Sequence, residues 1–157
     1  MSYSDVPARF GTAAGLTTGM RVETAWGWRN AENLCAGDRV HAADGSERCL
    51  SRVEKTFYGA VLAERFPQGL VLVPGGALDN CEAFYLLPET HVLMTGEAVE
   101  ALCGAGAALV RAADLVGHLG IIRALPVDGI EAIRLRFDEE EVIFANSGVL
   151  IHCPSEE

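Results

Sequence analysis

The sequence predicts an all-β fold, compact and built from many short strands with one or two short helices. Three observations carry this. Half of the 157 residues are apolar, enough for one domain with a real core. Seventeen Gly and six Pro are spread along the chain rather than gathered in blocks. Turn signals recur about every ten residues between short apolar runs, the spacing of an antiparallel β protein.

Residues 1–14 are small and polar without periodicity, and Pro7 and Gly11 interrupt any helix, so they read as a flexible arm ahead of a domain over 15–153 and a tail over 154–157. Met20 to Thr24 alternates as a strand, Trp26-Gly27 reads as a tight turn, and Trp28-Arg29 begins the return strand. A ring at this tip has two readings: an exposed contact surface for a protein partner, or an indole folded back over Trp28. Arg39 to Ala42 is a strand ending at the Asp44-Gly45 turn, and Glu47 to Tyr58 is one long strand with a solvated face, completing a second hairpin.

Gly69 to Val73 is a short buried strand closed by Pro74-Gly75-Gly76. Cys81 to Leu87 and His91 to Met94 are strands separated at Pro88, which cannot donate to a ladder. Glu97 to Cys103 sets Val99, Leu102 and Cys103 on one helical face against Glu97 and Glu100, with Gly104 as a stop. A second helical turn is expected at Arg111 to Val116. Strands follow at Ile121-Ile122, Ile130 to Phe137, Glu141 to Ala145 and Val149 to His152, with Asp138-Glu139-Glu140 turning between the middle pair.

Charge narrows the function. With 12 basic and 22 acidic residues the net charge is −10, which disfavours a nucleic-acid partner, since that binding needs clustered cations to release counterions. No apolar run reaches membrane-span length, and the first residues lack the basic and apolar regions of a secretion signal, so a cytoplasmic chain is expected. The five cysteines are odd in number and not closely paired, and they read as reduced, mostly buried thiols. His41, His91, His118 and His152 share no local ligand motif, so neither metal nor cofactor is expected. His91, opening an apolar strand, reads on its own as a hydrogen-bonded core or edge residue.

Four ordered pieces carry a resemblance: Gly15-Leu16-Thr17-Thr18-Gly19 followed by Arg21-Val22, Leu34 to Val40 around Gly37-Asp38, Pro88-Glu89-Thr90-His91-Val92-Leu93, and Glu141 to Gly148 containing Ala145-Asn146. Together with Leu109 to Leu115 they resemble a Hint domain, the fold of hedgehog autoprocessing domains and inteins, closest to the bacterial type-2 Hint family. The resemblance implies an N-terminal strand and a C-terminal block that meet in one cleft. It also implies self-cleavage chemistry: a Cys attacks the carbonyl before it to form a thioester, a His protonates the departing amide nitrogen, and a Ser or Thr three residues earlier holds the amide.

The resemblance maps the nucleophile to Gly15, the His to His91 and the hydroxyl to Pro88, and puts Glu140 where the C-terminal block keeps a His. Gly15 has no nucleophile, and Pro88 offers neither hydroxyl nor N–H. The resulting expectation is a catalytically inactive member that acts as a structural or interaction module, with residual self-cleavage or acyl transfer through His91 and a recruited thiol as the alternative. With 14 residues before Gly15, no folded cargo is expected ahead of it. Asn146 reads as a turn residue rather than a reacting one.

Overall fold

The computed structural model describes residues 14–96, 100 and 106–155. Residues 1–13 of the expected arm, Cys103 and most of the helix expected over 97–103 lie outside the described residues. Three antiparallel sheets make up the rest. In the first, β1 (Leu16–Thr17) lies on β12 (Ile130–Arg136), which pairs in turn with β6 (Arg52–Tyr58). The second runs β10 (Ala107–Arg111), β9 (His91–Thr95), β14 (Val149–Cys153), β13 (Glu141–Ala145), β2 (Arg21–Thr24), β4 (Arg39–His41), β5 (Glu47–Cys49), with β3 (Gly27–Asn30) added beside β2. The third orders β11 (Ile122–Ala124), β7 (Leu70–Val73) and β8 (Phe84–Leu86). Among the described residues no helix is long and apolar enough to cross a membrane.

The expected long strand from Glu47 to Tyr58 is broken at Leu50-Ser51. Leu50 N–H still donates to Asp38 O at 2.9 Å, whereas Ser51 N–H donates to Arg136 O at 2.8 Å, so the chain changes partner and sheet within one residue. Burial drives the change, because Leu50 is a core residue while its neighbours are not. Periodicity cannot register it, since both halves remain extended.

The first hairpin also turns one residue earlier than expected. Thr24 pairs with Gly27, so Ala25-Trp26 forms the loop, and the positive φ of +105° falls on Gly27. The steric difficulty of a bulky residue in a left-handed turn position therefore never arises at Trp26. Thr24 Oγ1 locks the loop by donating to Gly27 O and accepting from Trp26 N–H at 3.1 Å. Trp26 is 85% exposed and Trp28 43%, so the indole does not fold back over its own strands.

Among the described residues two apolar clusters form the core, and β12 feeds both. Ile133 and Leu135 join the large cluster that also holds Leu16, Met20, Val22 and Ile143. Ile130 and Ala132 join a smaller one built on Tyr58, Leu62, Phe66, Leu70 and Leu87. A single helical turn, α1 (Leu62–Arg65), supplies this second cluster and sets Phe66 edge-on to Tyr58 at 5.2 Å. Four residues are too few for helical periodicity, so α1 has no sequence signature. The helical turn expected near Arg111 is a short 3-10 turn, Ala112–Leu115, with Ala112 and Leu115 buried.

The chain's first strands meet its last block, as the resemblance implied. Val22 sits opposite Ala145, Arg21 N–H donates to Asn146 Oδ1 at 2.8 Å, and Asn146 N–H donates to Arg21 O at 2.9 Å. Asn146 and Ser147 take φ of +47° and +81° in the three-residue turn between β13 and β14, a backbone that Asn tolerates well. The turn reading of Asn146 holds.

Candidate functional site

Gly15 enters the fold immediately before β1 and is gripped by one side chain. Its N–H donates to Thr90 Oγ1 at 2.9 Å, and the Thr90 hydroxyl donates to Gly15 O at 3.1 Å. Thr90 is 2% exposed and is itself fixed through its backbone, accepting from Ala112 N–H at 2.7 Å and donating to Leu87 O at 3.1 Å. The amide nitrogen that joins Ala14 to Gly15 thus already has a hydroxyl partner.

The backbone at Gly15 suits glycine and little else. Its φ is +143°, and a Cβ placed there would lie 3.0 Å from both Ile133 O and Arg134 Cγ. Arg134 has a flexible side chain that could yield, but the Ile133 carbonyl belongs to the β12 ladder that pairs with β1.

Strand alternation separates His91 from Gly15. Thr90 and Val92 are buried, while His91 is half-buried between them on the opposite face. There it stands across from Arg111 on β10 and beside His152 on β14, with the two imidazole centroids 6.2 Å apart at 76°. Glu140 contacts His152 Nε2 on that same face. Arg111 bridges Glu89 at 3.0 Å and Asp114 at 2.9 Å, and its hydrogen bond holds the Asp114 carboxyl below its ordinary range.

The chain's first strand and the Pro88 to Leu93 block do meet, through Thr90 rather than His91. The profile of the Hint domain family matches residues 14–150. The chain belongs to the Hint domain family. No curated protein matches the chain. Among solved structures it is similar to a bacterial intein-like domain from Clostridium thermocellum, with 14% identity, a TM-score of 0.60, and coverage of 88% of this chain and 98% of that one. The gp41-1 intein is similar with 14% identity, a TM-score of 0.55 and the same coverages. At such identity these neighbours speak to the fold alone.

Within this Hint domain, Pro88 lies in the turn between Leu87 and Thr90, and the hydroxyl on Gly15 comes from two residues beyond it. A search keyed to a hydroxyl three residues before the histidine passes over Thr90. Its signal was nonetheless available, as the one hydroxyl in the Pro88 to His91 block.

The thiols depart from the buried expectation. Cys35, Cys49 and Cys81 are exposed, because they fall on turns, a short edge strand and a loop rather than on core-facing positions. Only Cys153 of the four described is buried, and burial pushes its thiol up to about 12. Cys81 Sγ lies 3.5 Å from Ser147 Oγ. Among the described residues no three His, Cys, Asp or Glu side chains converge to hold a metal.

Proposed function

We propose that this Hint domain has lost autoprocessing and works as a folded interaction module. The observation that carries the reading is Gly15 itself: the nucleophile position has no side chain, and its backbone has settled into a conformation of φ +143° that a Cys would strain. His91 facing His152 rather than the Gly15 amide supports it further. The alternative, in which a recruited thiol attacks, finds little support in Cys153, whose burial keeps it protonated.

As a module, the domain spans 15–153, and its partner is a protein that covers the exposed Trp26 hairpin, since a bare indole loses most of its contact area to water. The exposed, unpaired Cys35, Cys49 and Cys81 support a reducing, cytoplasmic setting.

The test is tag release. The chain with an N-terminal tag, and its Gly15→Cys variant, are incubated with dithiothreitol and weighed by intact-mass spectrometry. Both are expected to keep the tag. Release from the unmodified chain sinks the reading, and release from the variant alone would show that only the side chain was missing.

A further inference from the structure

A cleft of about 370 Å³ opens beyond β1, between the β2–β3 hairpin, the loop before β8 and the β13–β14 turn. Its size falls within the roughly 300–1,000 Å³ of small-molecule sites. We infer that this cleft binds a ligand through a single carboxylate, with a flat apolar group laid against Trp28.

The donors decide the ligand's polarity. Arg21 and Trp28 both line the cleft and lie diagonally across the β2–β3 pair, where Arg21 faces Asn30 and Trp28 faces Glu23. Asn146 adds a third donor. Its Oδ1 accepts the Arg21 backbone N–H, which fixes the amide's orientation and leaves Nδ2 pointing its hydrogens elsewhere. Among the described residues, nothing accepts from the Arg21 guanidinium, the Trp28 indole N–H or Asn146 Nδ2. Arg21, Trp28 and Asn146 all line the cleft and carry side-chain donors that no described residue occupies, which suits an acceptor-rich anion, and a guanidinium fork matches a carboxylate in two bonds.

Glu82 limits the charge. Its carboxylate also lines the cleft and repels a second negative charge, so a monoanionic carboxylate fits better than a phosphate dianion. The half-exposed face of Trp28 supplies a surface for a flat apolar group. The inference is independent of whether the peptide bond at Gly15 is cleaved.

Trp26→Phe leaves Trp28 as the one indole, so its side-chain N–H gives a single nitrogen-15 resonance in the full chain. That protein is titrated with 3-phenylpropanoate, with a tetrapeptide ending in a phenylalanine carboxylate, with the same peptide as its C-terminal amide, and with inorganic phosphate. A saturable shift of the Trp28 resonance is expected with either carboxylate, at least about tenfold weaker for the amide and for phosphate. Tighter binding of the peptide assigns the carboxylate to a chain terminus, and equal binding assigns it to a small organic acid. Arg21→Gln is expected to weaken binding at least about tenfold, and Glu82→Gln, at an exposed position, to strengthen it by roughly threefold. No shift, equal shifts with the amide, preference for phosphate, or a Glu82→Gln variant that binds no better overturns the inference even if Arg21→Gln fails to fold.

Discussion

Thr90 satisfies both backbone polar groups of Gly15 with one hydroxyl, taking the N–H at 2.9 Å and giving its own hydrogen to the C=O at 3.1 Å. The residue just before His91 thereby holds the backbone at the head of β1. The first strand is anchored by this contact on one side and by the β12 ladder on the other.

Replacing Thr90 tests the anchor. Thr90→Val keeps the shape but strands a part-buried N–H and C=O, and should cost about 1–2 kcal/mol, read as a lower urea midpoint with an unchanged slope. Thr90→Ser restores the hydroxyl and should recover most of the loss.

Gly15→Ala adds a Cβ at φ +143°, 3.0 Å from the Ile133 carbonyl. A loss of about 1–3 kcal/mol is expected in the same urea measurement. Gly19→Ala is the control, since its φ of +92° strains the backbone while a Cβ there meets nothing within 4 Å. The loss at Gly15 beyond that at Gly19 then reports the β12 contact.

Alkaline pH should unfold this protein through Cys153. Burial lifts its folded pKa from 9.0 to about 12, so the folded state holds a proton that the unfolded state gives up above pH 9. The contribution is fully present below pH 9 and is lost as pH rises from 9 to 12, on the order of a few kcal/mol. Cys153→Val should flatten that part of the stability-against-pH curve. In the native protein at neutral pH, a thiol reagent should label Cys35, Cys49 and Cys81 and spare Cys153.

Ser147 holds φ +81° in the three-residue β13–β14 turn, a left-handed backbone that favours glycine. Ser147→Gly should stabilise the domain by up to about 1 kcal/mol, seen as a higher thermal midpoint. A fall instead would mean that the Ser147 contact with Cys81 outweighs the backbone strain.

Much of the fold was legible because it rests on local pattern. β7, β9, β13 and β14 are runs of apolar or alternating residues bounded by Gly, Pro or acidic turns, and each lies where those signals put it. β10 and α1 were not legible: β10, Ala107–Arg111, has no turn signal or alternation that marks it as a strand and overlaps the Leu109 to Leu115 segment of the resemblance, and α1 is a single turn held by the second core cluster. The Leu50-Ser51 break is likewise a choice between sheets, made by burial.

The site divides in the same way. The chain's own residues determine that Gly15 carries no nucleophile and that Pro88 carries no hydroxyl, because those are facts of side-chain chemistry. Which residue meets the Gly15 amide is a matter of which face each side chain takes once β9 is paired. Pairing Val92 with Ile151 turns Val92 toward the core, so Thr90 shares its side and reaches Gly15, while His91 is sent to the other face beside His152. A strand's period of two makes a one-residue difference in spacing into a change of face, and only the tertiary structure decides it.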